Sequence, residues 1–241
     1  MNQIAIIYPI PMDSVECWGT FRPFVERFCY TWRKHPPLED CEVIAVCCNG
    51  MTTAGDEIHD LFWGIPRTFM RYDGRGADIG AHQYAAKELA GNPFMVCLTS
   101  RCYFHRLGWL KPLADARMRY GPHLFGCSAS RQGGNLHLCT RGYCMDAEDF
   151  QSYPDTILSR AMGAELECSQ NNLLRWFENQ GKRGYVVHWD TVQWQEPGYF
   201  TVPNRFRNGD QSAMLIWDKH TDQYRNATPD QKAELEIAVS P

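Results

Sequence analysis

The run Asp73-Gly74-Arg75-Gly76-Ala77-Asp78-Ile79-Gly80-Ala81 has the densest chemistry in the first half of the chain. Glycines let a backbone approach a ligand closely, and the guanidinium of Arg75 suits phosphate oxygens. Asp78 stands where a helix would begin, so its carboxylate can serve a ribose or base, or act as a plain N-cap. A glycine-rich loop alone does not choose between these. Further on, Thr99-Ser100-Arg101-Cys102 offers hydroxyls and a second guanidinium able to pair bidentately with phosphate. Glu165 and Glu167 precede the run Ser169-Gln170-Asn171-Asn172-Leu173-Leu174. Carboxylates there can take a proton from an attacking hydroxyl, or simply complement a helix dipole. Arg205, Arg207, Lys219 and His220 crowd the last forty residues with Asp210 and Asp218. They suit diphosphate contacts, or equally a solvated, turn-rich surface anchored by Trp217, with Asp210 pairing one of the arginines.

The eleven cysteines include no C-x-x-C pair and are odd in number, which argues against a disulfide framework. Cys47 and Cys97 fall in apolar runs, where a thiol behaves as a small hydrophobe. His137-Leu138-Cys139 with Cys144 offers three zinc ligands, but structural zinc wants a fourth ligand and a closer knuckle. Buried, reduced thiols are the simpler expectation.

These groups need a scaffold. Ile4-Ala5-Ile6-Ile7-Tyr8, Glu42 to Cys48, Thr68 to Tyr72 and Phe94 to Leu98 are short, apolar and bounded by Pro, Gly or Asn. Such runs predict strands buried on both faces. The first is expected to stop at Pro9-Ile10-Pro11. Between the strands, Trp18, Phe21, Val25, Phe28 and Trp32 recur at helical spacing, closed by Pro36-Pro37. Further helices are expected around 56–63 and 79–89. Alternating strands and helices predict an α/β fold, a mostly parallel sheet sandwiched by helices. In such sheets ligands bind beyond the strands' carboxyl ends, so segments 9–13, 49–53, 73–78 and 99–104 should share one edge. Downstream, helices are expected at 109–119, 146–153, 156–162, 169–179 and 229–237, and strands at 123–130, 136–140 and 185–189. The rest of the last fifty residues reads as loop.

Of the 241 residues, 44% are apolar and 22% charged, which excludes general disorder. A net charge of -4 gives no reason to expect a nucleic-acid surface, and a nucleic acid stays open only as an acceptor. No apolar run approaches the ~20 residues of a membrane span. Met1-Asn2-Gln3-Ile4 lacks a basic n-region, so a cytoplasmic protein is expected.

In the order of these segments, over residues 4 to 190, the chain resembles GT-A glycosyltransferases, especially the large inverting group. The correspondences are the apolar first strand with its Pro-containing loop, the turn at Asn49-Gly50, and the N-x-G-like loop Asp73-Gly74-Arg75-Gly76. The small-residue helix from Gly80 to Ala86 and the run Gly108-Trp109-Leu110 complete them. The resemblance implies a Rossmann-like nucleotide-binding fold in one domain, with residues 1–105 binding a nucleotide-diphospho-sugar and 106–241 facing the acceptor. The acceptor would be a glycan, a protein or another hydroxyl compound. It implies donor contacts at Pro9, Asn49, Arg75, Asp78, Arg205, Arg207 and Lys219. It also implies a catalytic base at Glu167 or Glu165, although counting back from Gly184-Tyr185 puts Gln170 there instead. The family's usual D-x-D, which holds Mn²⁺ or Mg²⁺ against the diphosphate, is replaced by Thr99-Ser100-Arg101. The metal is therefore in question: either Arg101 takes over its charge, or a late pair such as Asp218 and His220 supplies ligands. The alternative is a degenerate domain of the same fold that binds nucleotide or glycan without transfer. A nucleotidyltransferase would predict a glycine-rich phosphate loop after the first strand, where Pro9-Ile10-Pro11-Met12 stands.

Overall fold

The structure is a computed structural model that describes residues 3–49 and 55–240. The expected ligand segment at 50–53 and the turn residue Gly50 lie outside the described residues. The α/β architecture is as expected: one eight-stranded sheet with helices on both faces. The first four strands are β1 (Ile4–Pro11), β2 (Cys41–Cys48), β3 (Arg67–Tyr72) and β4 (Phe94–Cys97). They lie side by side in the order β4-β1-β2-β3 with all pairings parallel. Alternate β1 residues divide between two cores. Ile4, Ile6, Tyr8 and Ile10 face the helices α1 (Val15–Lys34) and α2 (Gly55–Leu61), whereas Ala5 and Ile7 face α3 (Ala77–Glu88). Both faces are covered, so the strands read as continuous apolar runs rather than alternating ones.

The helix assignment follows from the strand order. From β1 the chain moves outward to β2 and β3 through α1 and α2 on one face. It then doubles back to β4 through α3 on the other. The direction reverses between β1 and β4, which makes a topological switch point.

β1 is longer than the sequence suggests, because Pro9 and Pro11 remain within it. The carbonyls of Gln3 and Ile7 accept from Phe94 and Leu98, while Met12 N–H donates to Cys48. Odd-numbered β1 residues therefore turn toward β4, whose pairing ends at Ile7–Cys97. The missing N–H groups of Pro9 and Pro11 fall where no partner strand remains, so the prolines cost no ladder bond.

Beyond β4 the sheet continues antiparallel through β8 (Tyr143–Asp146) to β5 (Leu124–Gly126), then parallel to β9 (Gly184–Val187) and antiparallel to β10 (Val192–Gln193). A two-stranded hairpin, β6 (Ala129–Ser130) with β7 (His137–Leu138), stands apart. The remaining helices are α4 (Lys111–Tyr120), α5 (Ala147–Gln151), α6 (Arg160–Cys168), α7 (Leu173–Asn179), α8 (Lys219–Asn226) and α9 (Pro229–Val239). α6 starts later than the expected 156–162, because Ser159 caps it by accepting from Met162 N–H. α8 replaces an expected loop. Asp218 and Thr221 form a reciprocal capping box that starts it. No helix among the described residues is long and apolar enough to cross a membrane.

Eight cysteines are buried, and Cys17, Cys47 and Cys168 are partly exposed. Burial pushes the thiols of Cys29 and Cys41 up to about 12. The α1-side core centres on Phe28, fully buried and stacked on Tyr8 with centroids 4.0 Å apart, beside Trp32, Phe62 and Phe104. Phe28→Ala should cost about 3–5 kcal/mol through lost burial and the cavity it leaves. Urea titration should show this as a lower midpoint at unchanged slope. A midpoint near wild type would mean that the neighbouring rings collapse into the space.

Candidate functional site

The carboxyl ends of the four parallel strands surround a cavity of about 500 Å³. β1 brings Pro11 and Asp13 to its wall, β2 Cys48 and Asn49, and the segment after β4 Ser100 and Arg101. The loop from β3 into α3 contributes Gly74, Arg75, Ala77 and Asp78. Cys17 and Phe21 of α1 close one side. Two residues come from far along the chain: Arg160, the first residue of α6, and Lys219, the first of α8. Four cationic side chains thus face one space against two carboxylates.

Each cation has a reason for its position. Arg101 lies over the rings of Phe21 and Phe24, its guanidinium carbon 4.6 and 5.3 Å from their centroids. Such cation–π stacking orients the group rather than leaving it a solvated loop charge. Lys219 is placed by the start of α8, which Asp218 fixes. Asp218 Oδ1 accepts from Arg141, at 3.0 Å, and from the N–H groups of His220 and Thr221. The Arg141–Asp218 pair is buried and holds the Asp218 carboxyl far below its usual range despite the opposing cost of burial. Arg27 and Tyr103 grip Asp222, one turn along, at 2.6 Å each. The Lys219 ammonium is pushed below its ordinary value by burial and by Arg101 nearby. Such crowding of like charge is relieved by a bound anion.

α3 is locked to the end of β4 by His82. Its Nε2–H donates to the Leu98 carbonyl at 2.7 Å, which leaves Nδ1 to accept from the Tyr143 hydroxyl at 2.8 Å. Burial lowers this imidazole to about 4, so it stays neutral in that network. Asp78, one turn before His82, is held beside Ser100. Burial lifts its carboxyl to about 6, against the pull of Arg101, the Ser100 backbone, Arg160 and Lys219. Asp78 is not the helix cap: that position is Gly76, with no side-chain cap bond.

The glycines of this loop have a packing reason. A Cβ on Gly74 would come 2.2 Å from the Tyr72 ring, and one on Gly76 would come 2.3 Å from the Ile157 carbonyl. Tyr72 fills the underside of the loop and its hydroxyl accepts from Gly76 N–H at 3.2 Å.

Of the residues singled out from sequence, Asn49, Arg75, Asp78, Arg101 and Lys219 line the cavity together. The Asn49 amide also donates to the Asp13 carboxylate. Pro9 is buried inside β1, and Pro11 takes its place at the rim. Glu165 is exposed on α6, and Glu167 accepts from Thr140 N–H and Oγ1 at 3.0 and 2.9 Å; neither lines the cavity. Gln170, the other position considered for the base, lines a separate cavity with Asn171 and Arg175. Arg205 donates to the Phe200 carbonyl and Arg207 to Gln132 between β6 and β7, and neither lines the cavity. His220 Nδ1 sits 2.9 Å from Asp218 Oδ2, so both oxygens of Asp218 are already engaged. Arg160 escaped the sequence reading, since one arginine after a helix cap carries no signal until α6 is folded against the sheet.

No family model and no curated protein matches this sequence. Solved structures overlap in part. TarS from S. aureus matches at 14% identity and TM-score 0.38, over 52% of this chain and 21% of that one. HddC from Yersinia pseudotuberculosis matches at 12% and 0.44, over 66% of this chain and 83% of its own. The mannosyltransferase PcManGT from Pyrobaculum calidifontis, crystallised with GDP-Man and Mn²⁺, matches at 12% and 0.45, over 64% and 47%. This chain therefore spans about a fifth of TarS and about half of PcManGT. These are partial likenesses of fold, and the chemistry rests on the residues of the chain itself.

Asp78 supplies a test of the electrostatics. Its carboxyl is raised in the folded state, so between pH 3.8 and about 6 the folded chain binds more protons than the unfolded one. Stability must therefore fall as pH rises through that window, and the full penalty remains above it. Asp78→Asn should raise the melting temperature at pH 7 and flatten its decline between pH 4 and 6. A lower melting temperature for the variant at pH 7 would show that the ionised carboxylate is favourable where it stands.

Proposed function

We propose that this chain is a GT-A-type glycosyltransferase that takes a nucleotide-diphospho-sugar in the cavity at the ends of β1 to β4 and transfers the sugar to a hydroxyl acceptor. The observation that carries this is the convergence of Arg75, Arg101, Arg160 and Lys219 on one cavity at the switch point of the sheet. A diphosphate is the ligand chemistry that such a set suits, since guanidinium forks match phosphate oxygens. Asp78 is suited to accept from a ribose hydroxyl. In the reaction the bond from the anomeric carbon to the diphosphate oxygen breaks and one to the acceptor oxygen forms, with the acceptor proton passing to a base. Negative charge grows on the departing diphosphate, and the cations stabilise it. In this reading residues 1–105 hold the nucleotide, and the later half completes the site through Arg160 and Lys219.

The donor set does not suit a divalent cation against the diphosphate. The cavity has two carboxylates: Asp13 engages Asn49, and Asp78 faces Arg101 and Lys219. Mg²⁺ against phosphates is held by one or two carboxylates free to ligate it, whereas here one is taken by an amide and the other is ringed by cations. Side-chain cations take that role here.

A second reading, a domain that binds the nucleotide without transfer, is favoured by one observation: Glu165 and Glu167, the bases expected from sequence, stay outside the cavity. Activity separates the two readings.

Uridine, guanosine, cytidine and thymidine diphosphates should be screened by thermal shift, and at least one should raise the melting temperature by selective binding to the folded state. No shift with any of them removes the donor site. In a transfer assay, Arg101→Ala should lower turnover by roughly 10²-fold, and Arg101→Lys should recover only part because an ammonium lacks the fork. Brief addition of EDTA should leave activity intact and Mn²⁺ should add nothing. Loss with EDTA and restoration by Mn²⁺ would return the charge-stabilising role to a metal.

A further inference from the structure

Away from that cavity, the β6–β7 hairpin and the carboxyl end of α6 meet at a group of potential ligand atoms. Atoms of His137, Glu167 and Cys168 all lie within 4.8 Å of one another. We propose that these three residues form a zinc site that ties the hairpin to α6, with water in the fourth position as in open zinc sites.

The local geometry leaves these donors available to a metal. His137 Nδ1 is 2.8 Å from the Asn135 carbonyl, which can only accept, so Nδ1 carries the proton and the Nε2 lone pair is left for a metal. A metal-bound histidine is oriented in this way by a carbonyl or carboxylate on its other nitrogen. His137 Nε2 and Cys168 Sγ are 3.7 Å apart. With Zn–S near 2.3 Å and Zn–N near 2.0–2.1 Å, a tetrahedral N···S edge is about 3.6 Å. Glu167 Oε1 is fixed by Thr140 N–H and Oγ1, which aims the carboxylate and leaves Oε2 free. The Asn135 side chain donates to the Cys168 carbonyl at 2.9 Å, and so the segment orienting the imidazole also holds the helix end.

The donor types select the metal. A thiolate, an imidazole and a carboxylate suit Zn²⁺, whereas Mg²⁺ and Ca²⁺ require a shell of oxygens. His137 is buried while Glu167 and Cys168 are partly exposed, so the metal has a way in. The Cys144 that sequence spacing offers as a ligand is instead buried in β8, its thiol 3.6 Å from the Gly142 carbonyl. The site has a consequence for the cavity as well. α6 is about 13 Å long at 1.5 Å per residue; zinc would fix its last residue, and Arg160 is its first.

Protein expressed with zinc and purified without chelator should contain about one zinc per chain by elemental analysis. His137→Gln and Cys168→Ser should each lose most of it, and Cys144→Ser should retain it. Because a variant can fail by misfolding, wild-type protein freed of metal should also be titrated with Co²⁺. A thiolate-to-cobalt absorption band saturating at one equivalent supports the site. Absence of that band from folded wild type, or full zinc in a His137→Gln/Cys168→Ser double variant, overturns it.

Discussion

Parallel pairing of β4, β1, β2 and β3 is the constraint on which the other features depend. Parallel strands end at the same edge, so every segment that leaves them must start there. Because the chain runs outward through β2 and β3 and then returns to β4, the helices separate to opposite faces and a crevice opens between the ends of β1 and β4. Pro9 and Pro11 fit this arrangement: they extend β1 past the end of β4 on the side where no backbone donor is needed. That extension carries Pro11 and Asp13 to the rim of the cavity.

Charge is distributed unevenly over this frame. A buried ion must be paired or it destabilises the fold, and the Arg141–Asp218 pair satisfies that rule away from the cavity. The same aspartate begins α8, so one carboxylate neutralises a buried guanidinium and sets the direction in which Lys219 leaves the helix. At the cavity the rule is relaxed. Arg75, Arg101, Arg160 and Lys219 outnumber Asp13 and Asp78, and Asp78 is itself lifted to about 6 by burial. A cationic excess in a concave, partly buried site opposes folding and favours an anion, a conflict expected where binding matters more than local stability.

The later half of the chain acts mainly by reaching back. α6 and α8 each deliver their first residue to a cavity built by the first hundred residues, and each has a defined start: Ser159 for α6, Asp218 for α8. At its other end α6 meets the hairpin through Cys168 and Glu167. Helix ends suit such positioning, since a cap fixes the first side chain to within a turn.

Short apolar runs bounded by Pro, Gly and Asn determined by themselves that this is an α/β protein, because a strand covered on both faces has few other ways to read. Those runs also located the edge where Asn49, Arg75, Asp78 and Arg101 meet, since parallel strands admit one ligand-bearing edge. Local sequence did not determine distance-dependent roles. Glu167 looked like a base at the donor cavity, yet it lies outside it with Oε1 turned to Thr140; Asp218 and His220 looked like ligands, yet they cap a helix and engage each other. The glycines of the β3–α3 loop looked like room for a ligand, whereas Tyr72 and the Ile157 carbonyl occupy that space. Arg160 in the cavity and Cys168 beside His137 were invisible for the same reason. A strand or helix is encoded by neighbours a few residues apart, but a site is formed by side chains brought within ångströms across many tens of residues, and only the packing of α6 and α8 against the sheet decides which ones.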